Sequence, residues 1–125
     1  MIDHFGINCA DIEAAKVFYD GVLGVLGYGR VMEYGDFIGY GKDGKPDFWI
    51  GRYEGQPATQ REMHIAFQAP DKDAVDAFYA TAVKLGATSL HEPRVWPEYH
   101  PGYYGAFVRD PDGNNVEAVI HDYQG

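Results

Sequence analysis

The sequence predicts an α+β domain built from two βαβββ modules that follow one another along the chain. Two stretches match at a constant offset of 60 positions, and each begins with a histidine on a short apolar strand. The first contains His4 and Phe18-Tyr19, and the second contains His64 and Phe78-Tyr79. Repeats of the usual solenoid families are shorter and more numerous. Two copies of half a domain therefore indicate one domain over 1–125, with modules at about 1–55 and about 60–125.

The elements of the first half follow from periodicity and turn residues. Residues 2–9 alternate in the manner of a half-buried strand. Asp11 is a helix N-cap, and the apolar stripe after it predicts a helix over Ile12–Leu23 that ends at Gly24. Asp43-Gly44 predicts a turn before the last strand of the module. The strand-like runs after the helix are Arg30–Glu33, Phe37–Tyr40 and Phe48–Gly51.

The second half repeats this order. His64–Ala69 reads as a strand, and Asp71 caps a helix that ends near Leu85. Asp110-Pro111-Asp112-Gly113 has the residues of a type I turn between the last two strands. The stretch Glu92–Gly102 contains three prolines and is predicted to be an irregular loop, a kind of segment that often covers a binding site. The predicted strands after the helix are Thr88–Glu92, Tyr104–Arg109 and Asn115–His121.

Composition bounds the class of protein and its partners. Nineteen acidic residues against ten basic ones give a net charge of −9, which argues against a nucleic-acid partner because phosphate binding needs clustered Lys and Arg. Cys9 is the only cysteine, so no intrachain disulfide can form, as expected in a reducing compartment. No apolar run is long enough to span a bilayer, and Met1 leads almost directly into the first strand. We expect a cytoplasmic protein with no membrane partner.

Strand alternation predicts a metal site. In each of the three strands that carry them, the purely apolar residues should pack on the helices, so His4, His64 and Glu117 should project from the opposite face. Two imidazoles and one carboxylate suit a divalent first-row metal (Fe, Zn, Ni, Mn or Co), and three protein ligands leave positions open for water or substrate. Since the histidines occupy equivalent positions, they are expected to face one another across the module junction.

Proton transfer at such a site would need a further titratable group. His100 is the first candidate, and Tyr103 or Tyr104 the second, because they adjoin the proline-rich loop. The alternative is that the aromatic residues of this loop pack the loop itself or a contact between subunits. His91 and His121 are interpreted as surface or supporting residues, although alternation gives His121 the same face as Glu117.

Several motifs together resemble the vicinal oxygen chelate superfamily, which comprises the glyoxalase, bleomycin-resistance and extradiol-dioxygenase proteins. They are the opening Ile2-Asp3-His4, the helix end Val17-Phe18-Tyr19, the His64 strand and the closing run from Ala106 to Glu117. The resemblance covers essentially the whole chain. It implies paired βαβββ modules whose mixed sheets curl around a shared cleft, with a divalent metal held by residues of both modules. It also implies a homodimer, consistent with the need to cover exposed sheet edges.

The first module departs from the ligand pattern of one branch of this superfamily. Aligning the Asp43-Gly44 turn with Asp112-Gly113 puts Phe48 at the equivalent of Glu117. Glyoxalase I-type sites use four ligands, with a glutamate from each module, so isomerisation of the methylglyoxal–glutathione adduct is in doubt. The three remaining ligands resemble the two-histidine, one-carboxylate set of extradiol dioxygenases.

The sequence therefore predicts a glyoxalase-like, metal-dependent enzyme of the lyase or isomerase type, acting on a small oxygenated substrate that chelates the metal. One alternative is an extradiol-type dioxygenase with a two-His-one-Glu iron site. Another is a metal-free, drug-sequestering protein like the bleomycin-resistance proteins, which the acidic balance and the Trp and Tyr content favour. The retained His4, His64 and Glu117 favour an enzyme, because a sequestering protein has no need of them.

Overall fold

The computed structural model describes residues 1–52 and 62–125, which form two four-stranded sheets, each with one helix. The first module contains β1 (Phe5–Cys9), α1 (Ile12–Val25), β2 (Gly29–Tyr34), β3 (Phe37–Lys42) and β4 (Lys45–Arg52). The second contains β5 (His64–Gln68), α2 (Lys72–Lys84), β6 (Ser89–Val95), β7 (Tyr104–Arg109) and β8 (Asn115–Ile120). The predicted α+β fold of two βαβββ modules is confirmed.

The two sheets have the same topology. Strand order is β1-β4-β3-β2 in the first and β5-β8-β7-β6 in the second. The first strand of each module pairs in parallel with the last, and the other pairs are antiparallel. A parallel pair needs a crossover between its strands, and the helix of each module forms part of that crossover. The sequence repeat is therefore a repeat of structure.

Both helices begin at the predicted caps. The Asp11 carboxylate accepts a hydrogen bond from the Ala14 amide at 3.1 Å, and the Asp71 carboxylate accepts one from the Ala74 amide at 2.8 Å. α1 continues to Val25, two residues beyond its predicted end, because the fully buried Leu26 keeps its last turn against the core. Among the described residues, no helix has the length and apolar character needed to cross a membrane.

Strand β6 extends further than predicted. It runs to Val95, through Pro93, and so includes the first four residues of the stretch Glu92–Gly102 that was expected to be irregular. Proline is tolerated here because β6 is the outer strand of its sheet and its register with β7 shifts between His91 and Arg94. The irregular loop consequently begins at Trp96. At the other end of the chain, β1 begins at Phe5 rather than at residue 2.

One core joins the modules. α1 and α2 pack on each other, and the apolar faces of both sheets pack against them. Val116, Ala118 and Ile120 lie on the core side of β8, as alternation predicted. The other face of each sheet, here called its open face, carries no helix. The open faces therefore lie on the outer sides of the shared core.

The predicted equivalence of Phe48 with Glu117 is wrong by one residue. Glu117 pairs with Ala66 of β5, whereas Gly6, which corresponds to Ala66, pairs with Trp49. A bulge in the β3–β4 pairing inserts an extra residue between the turn and this point, so counting from the turn fails. Phe48 faces the core, where it is 5% exposed. Trp49 occupies the open face in the place of a second carboxylate.

Candidate metal and catalytic site

Glu117 is the centre of the candidate site. It lies in the middle of β8 between β5 and β7, on the open face of the second sheet, and is only 1% exposed. Its Oε1 atom lies 3.0 Å from Nε2 of His64. Its Oε2 atom accepts a hydrogen bond from the Tyr103 hydroxyl. Each oxygen of this buried carboxylate therefore has one partner.

The contact made by the second ring nitrogen of His64 indicates the tautomer of its imidazole. Nδ1 lies 3.2 Å from the backbone carbonyl oxygen of Asn115. A carbonyl oxygen only accepts hydrogen bonds, so Nδ1 carries the proton. In the neutral imidazole, Nε2 then presents a lone pair to the Glu117 carboxylate. Two lone pairs 3.0 Å apart require a proton or a cation between them, and a backbone-anchored Nδ1 is the usual arrangement of a metal-ligating histidine.

Burial and hydrogen bonding act in opposite directions on Glu117. Burial raises the pKa of this carboxyl, while the hydrogen bond from Tyr103 and the charge of a protonated His64 lower it, and the net shift is upward. Burial and the neighbouring Glu117 also raise the pKa of Tyr103. The phenol therefore keeps its proton at neutral pH and acts as a hydrogen-bond donor to the carboxylate.

A glycine makes room for the contact between Glu117 and Tyr103. A Cβ atom on Gly105 would lie 3.0 Å from Oε2 of Glu117 and 3.3 Å from Cε1 of Tyr103, closer than side chains ordinarily pack. Gly105 also accepts a hydrogen bond from the Trp96 indole at 3.0 Å, and the Trp96 amide donates to the Tyr103 carbonyl at 2.8 Å. These bonds close the loop that carries Tyr103 and fix its entry into β7.

His100 packs on the ring of Tyr103, which in turn contacts the Glu117 carboxylate. Its Nε2 is 3.0 Å from Nδ1 of His121, and both rings pack edge-on against the ring of Tyr103, at centroid distances of 5.4 and 5.2 Å. The structure thus places Tyr103, rather than His100, directly on Glu117. His121, which we interpreted as a surface or supporting residue, joins this group. Its alternation with Glu117 was the available signal.

Tyr104 points the other way. Its hydroxyl donates to the carboxylate of Asp76 in α2 at 2.5 Å, on the helix side of the sheet. Consecutive residues of a strand face opposite sides, so Tyr103 and Tyr104 cannot both reach the open face. The structure does not bring Tyr104 together with His64 and Glu117.

His4 also stands apart from the other two predicted ligands. Its ring is exposed, with Nδ1 2.9 Å from a carboxylate oxygen of Asp3, and it lines a cavity of about 370 Å³ on the open face of the first sheet. In the described part of the chain, no three His, Cys, Asp or Glu side chains are grouped so as to hold a metal. His4 is therefore not grouped with His64 and Glu117 in this way, and the expectation that the two histidines face one another stays a prediction.

The donor pair itself suits a metal ion. Two ligand atoms at about 2.1 Å from one first-row metal lie about 3.0 Å apart at a right angle and about 3.4 Å apart in a tetrahedron. The separation of 3.0 Å between Nε2 of His64 and Oε1 of Glu117 falls at this value. The chemistry and spacing of these two residues fit two positions of a metal site.

Comparisons with known proteins agree on the fold. The model of the Glyoxalase/Bleomycin resistance protein/Dioxygenase superfamily matches residues 1–118. The uncharacterized protein YwbC of Bacillus subtilis (strain 168) is 32% identical over 126 residues, covering 93% of this chain and 94% of that protein. A glyoxalase/bleomycin resistance protein from Albidiferax ferrireducens T118 is 32% identical in its crystal structure, with a TM-score of 0.78 over 94% of this chain and 95% of that chain. Lactoylglutathione lyase from Agrobacterium tumefaciens is 23% identical, with a TM-score of 0.66 over 95% and 92%, which shows the fold alone.

Proposed function

We propose that this chain, which belongs to the glyoxalase/bleomycin resistance protein/dioxygenase superfamily, is a metal-dependent enzyme of the lyase or isomerase type. Its substrate would be a small oxygenated molecule. The observation that carries this proposal is the pair formed by His64 and Glu117, whose facing donor atoms lie 3.0 Å apart. Glu117 is buried, and the half-exposed His64 is oriented by the contact of its Nδ1 with the Asn115 carbonyl oxygen. A purely structural ion pair does not need a histidine held in the tautomer that frees Nε2.

His4 of a partner subunit is the third ligand in this proposal. His4 is exposed and lies on the open face of the first sheet, where a second chain can approach it. Two subunits related by a two-fold axis would place the first module of one chain against the second module of the other, and this would create two equivalent sites. The proposal therefore includes a homodimer whose metal sites are shared between subunits.

The chain's own residues would hold the substrate and handle protons. A bound divalent metal would polarise the substrate oxygens and stabilise negative charge that develops on them. Tyr103 keeps one oxygen of Glu117 occupied by a hydrogen bond, so that the other oxygen faces His64. His100 and His121, in contact with Tyr103 and with solvent, are the groups proposed to exchange protons with the substrate.

The test is metal analysis of protein purified without chelator or nickel affinity resin. We expect about one divalent first-row metal per chain in the unmodified protein, and loss of at least nine-tenths of it in His64→Ala and in Glu117→Ala. His100→Ala is the matched control: its metal content should stay unchanged while turnover falls. Unchanged metal content in His64→Ala and Glu117→Ala would contradict the proposal and favour a metal-free, drug-sequestering protein.

Trp49 favours a second candidate reaction within the same site. It stands where a four-ligand site would carry its other carboxylate, so the proposed site takes two histidines and one carboxylate from the described residues. That set suits a non-haem iron centre with open positions for substrate and oxygen. Iron as the native metal, together with oxygen uptake on addition of a catechol, would favour an extradiol-type dioxygenase. Activity with zinc, nickel or manganese without oxygen uptake would favour a lyase or isomerase.

A further inference from the structure

Three glycines lie on the open face of the first sheet. Gly6, Gly39 and Gly51 alternate onto this face from three neighbouring strands, around the indole of Trp49. Glycine in the interior of a strand weakens a sheet, and it commonly marks a place where another group approaches the backbone closely. Three such residues on one face therefore need a structural reason.

Two aromatic rings lie against two of these glycines. A Cβ atom on Gly39 would be 2.9 Å from Cζ2 and 3.0 Å from Cε2 of Trp49, so the indole covers this glycine. A Cβ atom on Gly51 would be 2.7 Å from Cδ1 and Cε1 of Phe37. Any side chain at either glycine would push the ring upward. The glycines thus let both rings lie close to the backbone of the sheet.

These rings are open to solvent beside His4. Phe37 is 54% exposed and Tyr34 is 64% exposed, and the Tyr34 ring lies nearly parallel to Trp49, at an interplanar angle of 12° and a centroid distance of 6.3 Å. Trp49 and Phe37 line the cavity of about 370 Å³ that His4 also lines. A cavity of that size can hold a small molecule.

We infer that this face is an aromatic platform, formed by Trp49, Phe37 and the glycines beneath them, which binds a planar aromatic ring of the substrate. The inference rests on the proposed function, because the platform lies next to the proposed ligand His4 and would bring oxygen substituents of the ring towards the metal. Aromatic rings stack in an offset arrangement on other planar rings, so a planar aromatic ring should bind here more tightly than a non-planar molecule of similar size. The substrate class is therefore an oxygenated aromatic compound.

The experiment compares two probe ligands by calorimetric titration of the full chain, with and without EDTA. Naphthalene-2,3-diol is planar, and decalin-2,3-diol has the same ring framework but is saturated and puckered. The platform predicts binding of the planar diol at least about tenfold tighter than of the saturated one. This preference should persist in EDTA, because neither Trp49 nor Phe37 is a proposed metal ligand.

Variants separate the platform from general packing. Trp49→Leu should weaken binding of naphthalene-2,3-diol by about tenfold, and Trp49→Phe should restore most of it. Gly39→Ala keeps the indole but lifts it, and should weaken binding to a similar extent. Gly29→Ala is the matched control on the same sheet, because its Cβ atom would meet nothing within 4 Å. If Trp49→Leu does not fold, Phe37→Leu at an exposed position carries the same expectation.

The outcomes distinguish the inference from the proposed function. Equal affinity for the two diols, or undiminished binding in a folded Trp49→Leu variant, would overturn the platform even if metal content is normal. Loss of metal in His64→Ala together with normal binding of naphthalene-2,3-diol would support both proposals. If the unmodified chain binds this diol but never holds a metal, the platform is supported and the proposal of a metal-dependent enzyme is contradicted. Dissociation of a dimer by Trp49→Leu, without any change in ring binding, would assign this face to a second copy of the chain.

Discussion

Glu117 combines near-complete burial with one polar neighbour at each carboxylate oxygen. A buried carboxylate is costly unless each oxygen is satisfied. The Tyr103 hydroxyl satisfies Oε2, whereas Nε2 of a neutral His64 satisfies Oε1 only when a proton or a cation lies between them. Burial raises its pKa even so. The residue is thus held ready to accept a proton or a cation between itself and His64, which is the chemical property on which the proposed function depends.

Tyr103→Phe is expected to lower the free energy of unfolding by about 1–3 kcal/mol, because it leaves Oε2 of Glu117 buried without a donor. Urea denaturation of the metal-free protein measures this directly. Tyr99→Phe, at a 56% exposed position in the same loop, serves as the control and should change stability by less than about 0.5 kcal/mol. Equal stability of the two variants would mean that the Tyr103 hydroxyl does not stabilise the carboxylate.

The β3–β4 hairpin determines which side chains of β4 lie on the open face of the first sheet. Asp43 and Gly44 both have positive φ, 54° and 79°, as a tight two-residue hairpin turn requires. Just beyond the turn, Gly41 pairs with Pro46 while Tyr40 pairs with Phe48, so one residue of β4 is extra. This bulge shifts the alternation of β4 by one. As a result an indole, rather than the phenyl ring of Phe48, stands at the position equivalent to Glu117.

Gly41→Ala is expected to destabilise the protein by about 3 kcal/mol or more, because its Cβ atom would lie 1.9 Å from the carbonyl oxygen of Lys45. The neighbouring backbone cannot move away without breaking the bulge. Thermal unfolding followed by circular dichroism measures the effect, with Gly29→Ala as a control that should stay close to the unmodified protein. A Gly41→Ala variant as stable as Gly29→Ala would show that the hairpin tolerates another register.

A buried polar network ties the two modules together beside the helices. The Tyr19 hydroxyl of α1 donates to the Asp110 carboxylate at 2.6 Å, and Asn114 donates to the same carboxylate through its side chain at 3.0 Å. Asp110 begins the turn of the second module, and its burial makes these bonds structurally important. These bonds fix α1 of the first module against the turn between β7 and β8 of the second module. In the proposed function, a second chain completes the site that uses residues of both modules.

Mixing two variants that each bind little metal tests the proposed site shared between two subunits. His4→Ala and His64→Ala homodimers should each bind little metal. A heterodimer formed by refolding them together would contain one site with both histidines intact and one with neither. Random assortment should therefore restore about one quarter of the metal content of the unmodified protein. A mixture of His64→Ala and Glu117→Ala provides the control, since both changes affect the same module, and should restore none.

Equal metal content in the first mixture and in its separate components would contradict the shared site. Light scattering on the unmodified chain supplies the accompanying check. A monomer at micromolar concentration would remove the partner subunit on which the third ligand depends.

The sequence alone determined the modules, their helix caps and the faces of the key strands. Alternation put His64 and Glu117 on one face and the residues of the core side on the other, because strand geometry has a strict period of two. The cap residues Asp11 and Asp71 were readable for a similar reason, since capping depends on a side chain and an amide only three residues apart. Local rules of this kind do not depend on the rest of the fold.

Only the tertiary structure decided which of these residues meet. The bulge before Phe48 depends on pairing between two strands, and no count along one strand reveals it. The choice of Tyr103 over His100 as the partner of Glu117 depends on the path of a loop closed by hydrogen bonds to Trp96. Contacts of this kind join residues far apart in sequence, so they are fixed by packing rather than by local pattern.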